Sequence, residues 1–325
     1  MSKSEIKISR LGCKILISGG KLVVGDTFTK TSYFMNIYFN EENDKVKEVR
    51  EIATHKLPEN SPCYGSFTCT YEDRMIRGGG LVLEKSVNTV LEFDDVRGWV
   101  SLPHMEEPRS FAGACLVENV IIVAGGIDSS YTPLTSMEML TIDVGYNSEK
   151  WRTFTSPLPT YNIGIPLLNK LKEKLVLLEG NMDSYKDVSS VNGSDEITNR
   201  VWEGSWEGQL QPESDIIWQA VQPLKFKRSD FFSVVVEDNL YILGGVSDGL
   251  DRIDIYDGTH WKSGPILNKM LSTKNSQVVV DKRKRIIITT NFNEIVVYNT
   301  KTEKIEICEE NSLLDKRQWY SASTN

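Results

Sequence analysis

Six times along this chain an apolar run ends on a pair of glycines, or on small polar residues standing in their place. The pairs are Gly19-Gly20, Gly79-Gly80, Gly125-Gly126, Gly180-Asn181, Gly244-Gly245 and Thr290-Asn291. A chain punctuated every fifty residues or so is built from copies of one unit, and such copies stack or close on one another. The best-preserved copy is residues 107–159. There the apolar runs 112–117 and 120–124 flank the polar pair Glu118-Asn119, which signals a hairpin. Gly125-Gly126 supplies a sharp exit at a place where a Cβ would meet neighbouring backbone. A third strand closes on Ile142-Asp143, and a fourth begins near Trp151 and ends at Pro157. The unit is a four-stranded antiparallel meander.

The other copies follow the same order. The first has strands at 14–20, 33–39 and 46–53; the second turns at Glu72-Asp73 and ends at 99–103. The fourth is eroded, with strands at 165–169, 175–178 and 198–202 and a polar insertion at 182–197. The fifth is regular, with Tyr256-Asp257 and Trp261, and the sixth keeps its strands without glycines or tryptophan. Helical periodicity is missing throughout, so the fold class is all-β: a six-bladed β-propeller of four-stranded antiparallel blades. A lone blade would expose two apolar faces, so the ring has to close. The expected blades are 11–57 with 316–324, 58–105, 106–159, 160–224, 225–266 and 267–310, in one domain covering 1–325. The C-terminal segment 316–324 reads as the strand that closes the ring; the competing candidate is 5–10.

The reference copy resembles the kelch repeat. The shared features are Pro108-Arg109-Ser110 before the first strand, Gly125-Gly126 after the second, the Ile142-Asp143 step, and Trp151 followed by proline. The resemblance implies a propeller that binds peptides or loops of partner proteins around its channel mouth. Trp99, Trp151, Trp218 and Trp261 keep one place in the repeat and read as blade-packing residues.

Strands of a meander alternate in direction, so the loops after the glycine pairs and the entries to each first strand share one rim. That rim is expected to carry Tyr64, Arg109, Ser110, Tyr161, Asn162, Arg228, Ser229, Asp230, Lys274, Arg317 and Tyr320. The longer loops add Tyr131, with Asp128, Ser129, Asp183, Tyr185 and Asp248. Arginine and tyrosine are frequent binding hot spots. An arginine-lined mouth would favour an acidic segment of a protein partner. The competing reading makes each arginine a structural residue, paired within its own blade.

Enzymatic readings find less support. Gly78-Gly79-Gly80 lacks the GK[ST] and the helix of a phosphate loop. A copper oxidase would need paired histidines and a tyrosine on one metal, and the chain has only His55, His104 and His260. Residues 257–261 echo a sialidase turn once. A stronger rival is a sugar mutarotase, since six-bladed kelch proteins of this size resemble bacterial sialic-acid mutarotases; Glu179, Glu203 and Arg228 would then supply acid, base and carboxylate recognition. The main expectation is a non-catalytic interaction module or scaffold, without catalytic residues, metal or cofactor.

A formal charge of −8 argues against general nucleic-acid or anionic-membrane affinity. The basic run Lys282-Arg283-Lys284-Arg285 falls where the repeat needs a turn, which favours a solvated hairpin over a nuclear-localisation signal. The first ten residues lack a signal-peptide core and no run approaches a membrane span, so a cytoplasmic protein is expected. Five scattered cysteines suit reduced thiols there. Asn192-Gly193-Ser194 reads as loop rather than a used glycosylation site.

Overall fold

The computed structural model describes residues 11–18, 21–22, 30–39, 45–72, 74–142, 150–160, 165–179, 199–226, 228, 230–245, 252–267, 271, 276–290, 294–309, 317–318 and 321–324. Its strands form six four-stranded antiparallel sheets, and two small two-stranded ladders lie beside them. Blade two, for example, runs Phe67–Tyr71, Arg74–Gly78, Val90–Asp94 and Gly98–Leu102. Blade five runs Phe232–Val236, Asn239–Leu243, Arg252–Tyr256 and Trp261–Ile266.

Why the ring closes can be read from the middle strands. Val120–Ala124 of blade three and Arg285–Thr290 of blade six are buried at every position. A strand buried on both faces needs a neighbour on each side, and a single sheet offers neither. The core is accordingly divided into wedges between blades. Phe34 and Leu16 meet Met75 and Phe93 between blades one and two. Ile76 and Phe67 meet Ile121, Val123 and Trp151 between two and three. Further wedges join three to four, four to five, five to six and six to one. The innermost strands touch in an unbroken circle.

The C-terminal assignment of the closing strand holds. Ser321–Thr324 pairs antiparallel with Leu11–Ser18, placing Ile15 opposite Thr324 and Ser18 opposite Ser321. Lys21–Leu22 adds a second ladder with Arg317–Gln318. Blade six is tied to blade one as well by Arg285, whose guanidinium lies 3.4 Å from the centroid of the Phe39 ring, and by Glu306, which accepts the Val46 amide at 2.9 Å. Residues 5–10, the competing candidate, lie outside the described residues.

The tight hairpin turns fall where the polar pairs stand. Glu72, Glu118, Lys172, Glu237 and Lys284 all have positive φ, as a short turn between twisted strands demands. The basic run is such a turn, with one correction: Lys282, Arg283 and Lys284 are exposed, whereas Arg285 is buried and its Nε bonds Asp281 Oδ2 at 2.7 Å. The tryptophans are blade-packing residues. Indole Nε1 of Trp99, Trp151 and Trp261 donates to the carbonyls of His55, Pro103 and Gln222, each on the segment leaving the preceding blade. Trp218 packs against the wedge between blades three and four. All five cysteines are free thiols. Burial pushes the Cys13 and Cys69 thiols up to about 12. The blade-four insertion at 182–197 lies outside the described residues.

Deleting residues 316–325 removes both ladders that close the ring, and we expect the melting temperature to fall by roughly 10 °C or more. An unchanged melting curve by circular dichroism would show that the ring does not depend on that strand.

Candidate functional site

The rim begins with the segments that lead into each first strand. In blade three, Ser110 bridges to Ile127 just beyond the glycine pair; in blade two, Tyr64 bridges to Leu81 in the same way. In blade one, Gln318 meets Lys21. Strand entries and post-glycine loops therefore do share one rim. The glycines make this contact possible. A Cβ on Gly79 (φ 61°) would strike the Arg109 carbonyl oxygen, and one on Gly126 (φ 86°) would lie 2.5 Å from that of Ser110.

Arg109 and Arg228, expected to face a partner, are instead both 0% exposed. Arg109 Nη2 donates to Glu138 Oε1 at 2.7 Å and to Ser136 Oγ at 3.0 Å; Nη1 donates to the Gly125 carbonyl at 2.8 Å. Arg228 repeats the arrangement in blade five. It donates to Asp254 of its own blade and, at 3.1 Å, to the Gly244 carbonyl. Burial holds Asp254 above the usual carboxylate range and Arg228 below the usual guanidinium range, and the mutual attraction of the pair opposes both shifts. These arginines pin each entry to the third strand and the glycine exit of the same blade. Their positive charge is answered inside the blade, so these two arginines lend no support to an acidic partner segment.

Register places Arg317 at the corresponding backbone position of blade one, and its side chain lies outside the described residues. Arg317 immediately precedes Gln318, the counterpart of Tyr64 and Ser110, so it occupies the slot of Arg109. In blade two that slot holds Cys63, and Arg77 reaches in from the second strand, donating to the Pro62 carbonyl and Ser66 Oγ. Burial brings the Arg77 guanidinium down to about 10.

Ser110 and Asp230 are also buried. Ser110 Oγ lies 3.0 Å from Ser86 Oγ, which donates to the Ile127 carbonyl. Tyr161, Asn162, Ser229, Lys274 and Tyr320 lie outside the described residues. Of the expected set, the structure brings Tyr64 and Tyr131 together. Both are half-buried and pack on a cluster of Leu81, Phe111 and Ile127, with Ile165 beside them. Burial raises the Tyr64 phenol, and Tyr131 and Glu84 add to the shift.

Below this cluster lies a cavity of about 280 Å³ in the channel, walled by innermost strands. Its described polar lining is uncharged: Ser66, Thr68, Asn169, Ser233 and Gln277, with Phe111, Ile165 and Pro166 on the apolar side. Asn169 and Ser233 bond each other across blades four and five at 2.9 Å. Sequence reasoning missed this lining. The only signal was polar residues alternating with apolar ones on the first strands, and nothing in the chain said which face turned inward.

Sequence reasoning also missed a small hairpin, Leu81–Val82 with Lys85–Ser86, in the blade-two loop. Blade three holds it. Tyr131 Oη donates to the Glu84 carbonyl at 3.3 Å, and Ser129 Oγ to the Ser86 carbonyl at 3.2 Å.

Glu179, Glu203 and Arg228, the residues named for a sugar isomerase, do not line this cavity. Glu179 accepts from Trp202 Nε1 at 3.0 Å, and Glu203 accepts from Lys174 and from Tyr256 Oη. Among the described residues, no three His, Cys, Asp or Glu side chains converge as metal ligands, and no helix is long and apolar enough to cross a membrane.

Residues 108–157 match the family model of the Kelch motif. That match lies on the very unit whose geometry the other five blades repeat. The chain thus carries one recognisable Kelch motif within a six-bladed β-propeller. It is 26% identical over 208 residues to the Kelch repeat and BTB domain-containing protein 12 of Danio rerio, covering 59% of this chain. The match spans only 31% of that relative's length. Among solved structures, that of YjhT aligns with a TM-score of 0.61 at 13% identity, covering 92% of this chain and 98% of the other. At that identity the likeness concerns the fold.

The buried ion pairs give a test. Arg109→Ala and Arg228→Ala should each cost about 3–5 kcal/mol in chemical denaturation, because each leaves a buried carboxylate without its cation. Joint replacement of Arg228 by Met and Asp254 by Leu should recover most of the loss. Full stability of the single variants would return these arginines to a docking role.

Proposed function

We propose that this propeller is a non-catalytic protein-binding module, and that a peptide or loop of its partner docks at the channel mouth between blades two and four. The single observation behind this reading is the pair of half-buried tyrosines, Tyr64 and Tyr131, packed on the buried Phe111 above an open cavity whose described lining is uncharged. Tyrosine rings offer large contact area at small entropic cost, and the hydroxyls and amides below can accept or donate to a bound backbone. Propeller-type kelch relatives make protein binding the natural use of such a mouth. Titratable groups that could serve as acid and base are missing from its described lining, which favours recognition over catalysis. Arg109 and Arg228 form part of the frame that holds the mouth in shape.

A photo-crosslinking amino acid placed at position 131 should capture the partner in native cells. The same group at Val96, which is 85% exposed in the turn between the last two strands of blade two, should not. Adducts at 96 and none at 131 would move the docking surface to the other rim. The catalytic alternative has its own measurement: anomerically pure sialic acid followed by NMR should equilibrate no faster with the protein than without it. Acceleration would overturn the binding-module reading.

A further inference from the structure

Where the chain passes from blade four into blade five, three cations gather around one carboxylate. Arg228 donates to Asp254, and both are buried. Asp254 also attracts Arg252, the first residue of the same strand, and Lys225, on the segment that enters the blade. Arg252 and Arg228 repel each other. One carboxylate cannot answer three cations, so this cluster carries an excess of positive charge.

The excess is presented to solvent. Lys225 is exposed and Arg252 half-buried, and neither joins an ion pair among the described residues. Both lie instead over one ring: the Lys225 ammonium is 5.4 Å and the Arg252 guanidinium 5.9 Å from the centroid of Phe226. A ring can hold two cations beside it, but it does not neutralise them. Phe226 is itself 36% exposed, and Ile266, paired with Arg252 on the outer strand, is 49% exposed. Unanswered positive charge, an aromatic ring and an aliphatic side chain thus stand together on a chain of net charge −8.

We propose that this flank of blade five receives an acidic segment of a protein partner, which sets a carboxylate between Lys225 and Arg252 and an apolar side chain against Phe226 and Ile266. Arginine offers the carboxylate a bidentate mate, and the ring already holds both cations in place for it. A peptide suits the patch better than an anionic bilayer does, because the chain as a whole is repelled by a negative surface. The patch is separate from the tyrosine cluster between blades two and four, and neither contact depends on the other.

The probe is a phage-displayed library of random linear peptides panned on the full chain at low salt, where exposed charges are least screened. Enriched clones should pair Asp or Glu with a neighbouring Leu, Ile or Phe. Synthetic copies should bind the joint variant Lys225→Gln with Arg252→Gln about tenfold more weakly than the parent, and Phe226→Ser should weaken them about as much. The melting temperature of the joint variant should stay within about 2 °C of the parent or rise, because Arg228 and Asp254 are left balanced. A fall of roughly 5 °C or more would make the two cations structural and overturn the proposal. Acidic clones that bind parent and variant alike overturn it as well, as does a selection without acidic clones. Sedimentation of the parent, but not the variant, with phosphatidylcholine vesicles containing phosphatidylserine would overturn it by assigning the cations to a membrane surface. Acidic clones that need Tyr131 and ignore Lys225 and Arg252 overturn this proposal and leave mouth docking standing. Clones that need the two cations while position 131 captures nothing support the proposal and remove mouth docking.

Discussion

Apolar side chains on both faces of a four-stranded sheet leave that sheet with no stable life of its own. In this protein each face is covered by the next blade, so every wedge of the core is shared by two blades. Removing the closure would leave one face of blade one and one of blade six open to water. That constraint explains why two separate ladders, a cation–π contact and a carboxylate–amide bond all gather at one seam. Because blade one takes strands from two distant stretches of chain, no hairpin connection holds the seam, and pairing must do so.

A second set of interactions sets the geometry of the mouth. Arg109 with Glu138 and Arg228 with Asp254 fix each strand entry against its own glycine exit. Buried pairs of this sort add little net stability over apolar packing, but they reject any other arrangement of the groups they join. The entries are where the rim begins, so the position of Tyr64, Phe111 and Tyr131 follows from a frame buried inside the blades. Blade two departs from the scheme, with Cys63 in the arginine slot and Arg77 reaching across. It is also the blade that extends a hairpin toward blade three.

The described rim is consequently uneven. The apolar cluster joins blades two, three and four. A ring of equal blades would present the same groups all round; here local departures from the repeat give one sector a distinct surface. Specific recognition by a repeat fold needs such departures, since a perfectly regular mouth offers a partner several equivalent registers.

The strand order, the blade number, the hairpin turns and the closing role of the C-terminal strand were legible in the sequence. They depend on local signals: period-two alternation, polar pairs at turns, glycines where a Cβ would strike backbone. The tryptophans were legible for the same reason, since a fixed place in the repeat implies a fixed contact. The direction in which the arginines point was not. Pro108-Arg109-Ser110 reads identically whether the guanidinium faces solvent or Glu138, because the two residues are far apart in sequence and meet only when the third strand folds back. The uncharged described lining of the cavity and the exposed Leu83 likewise belong to the tertiary structure. Which face of a first strand turns toward the axis, and whether a leucine in a loop is covered, are decided by neighbouring blades that no stretch of sequence contains.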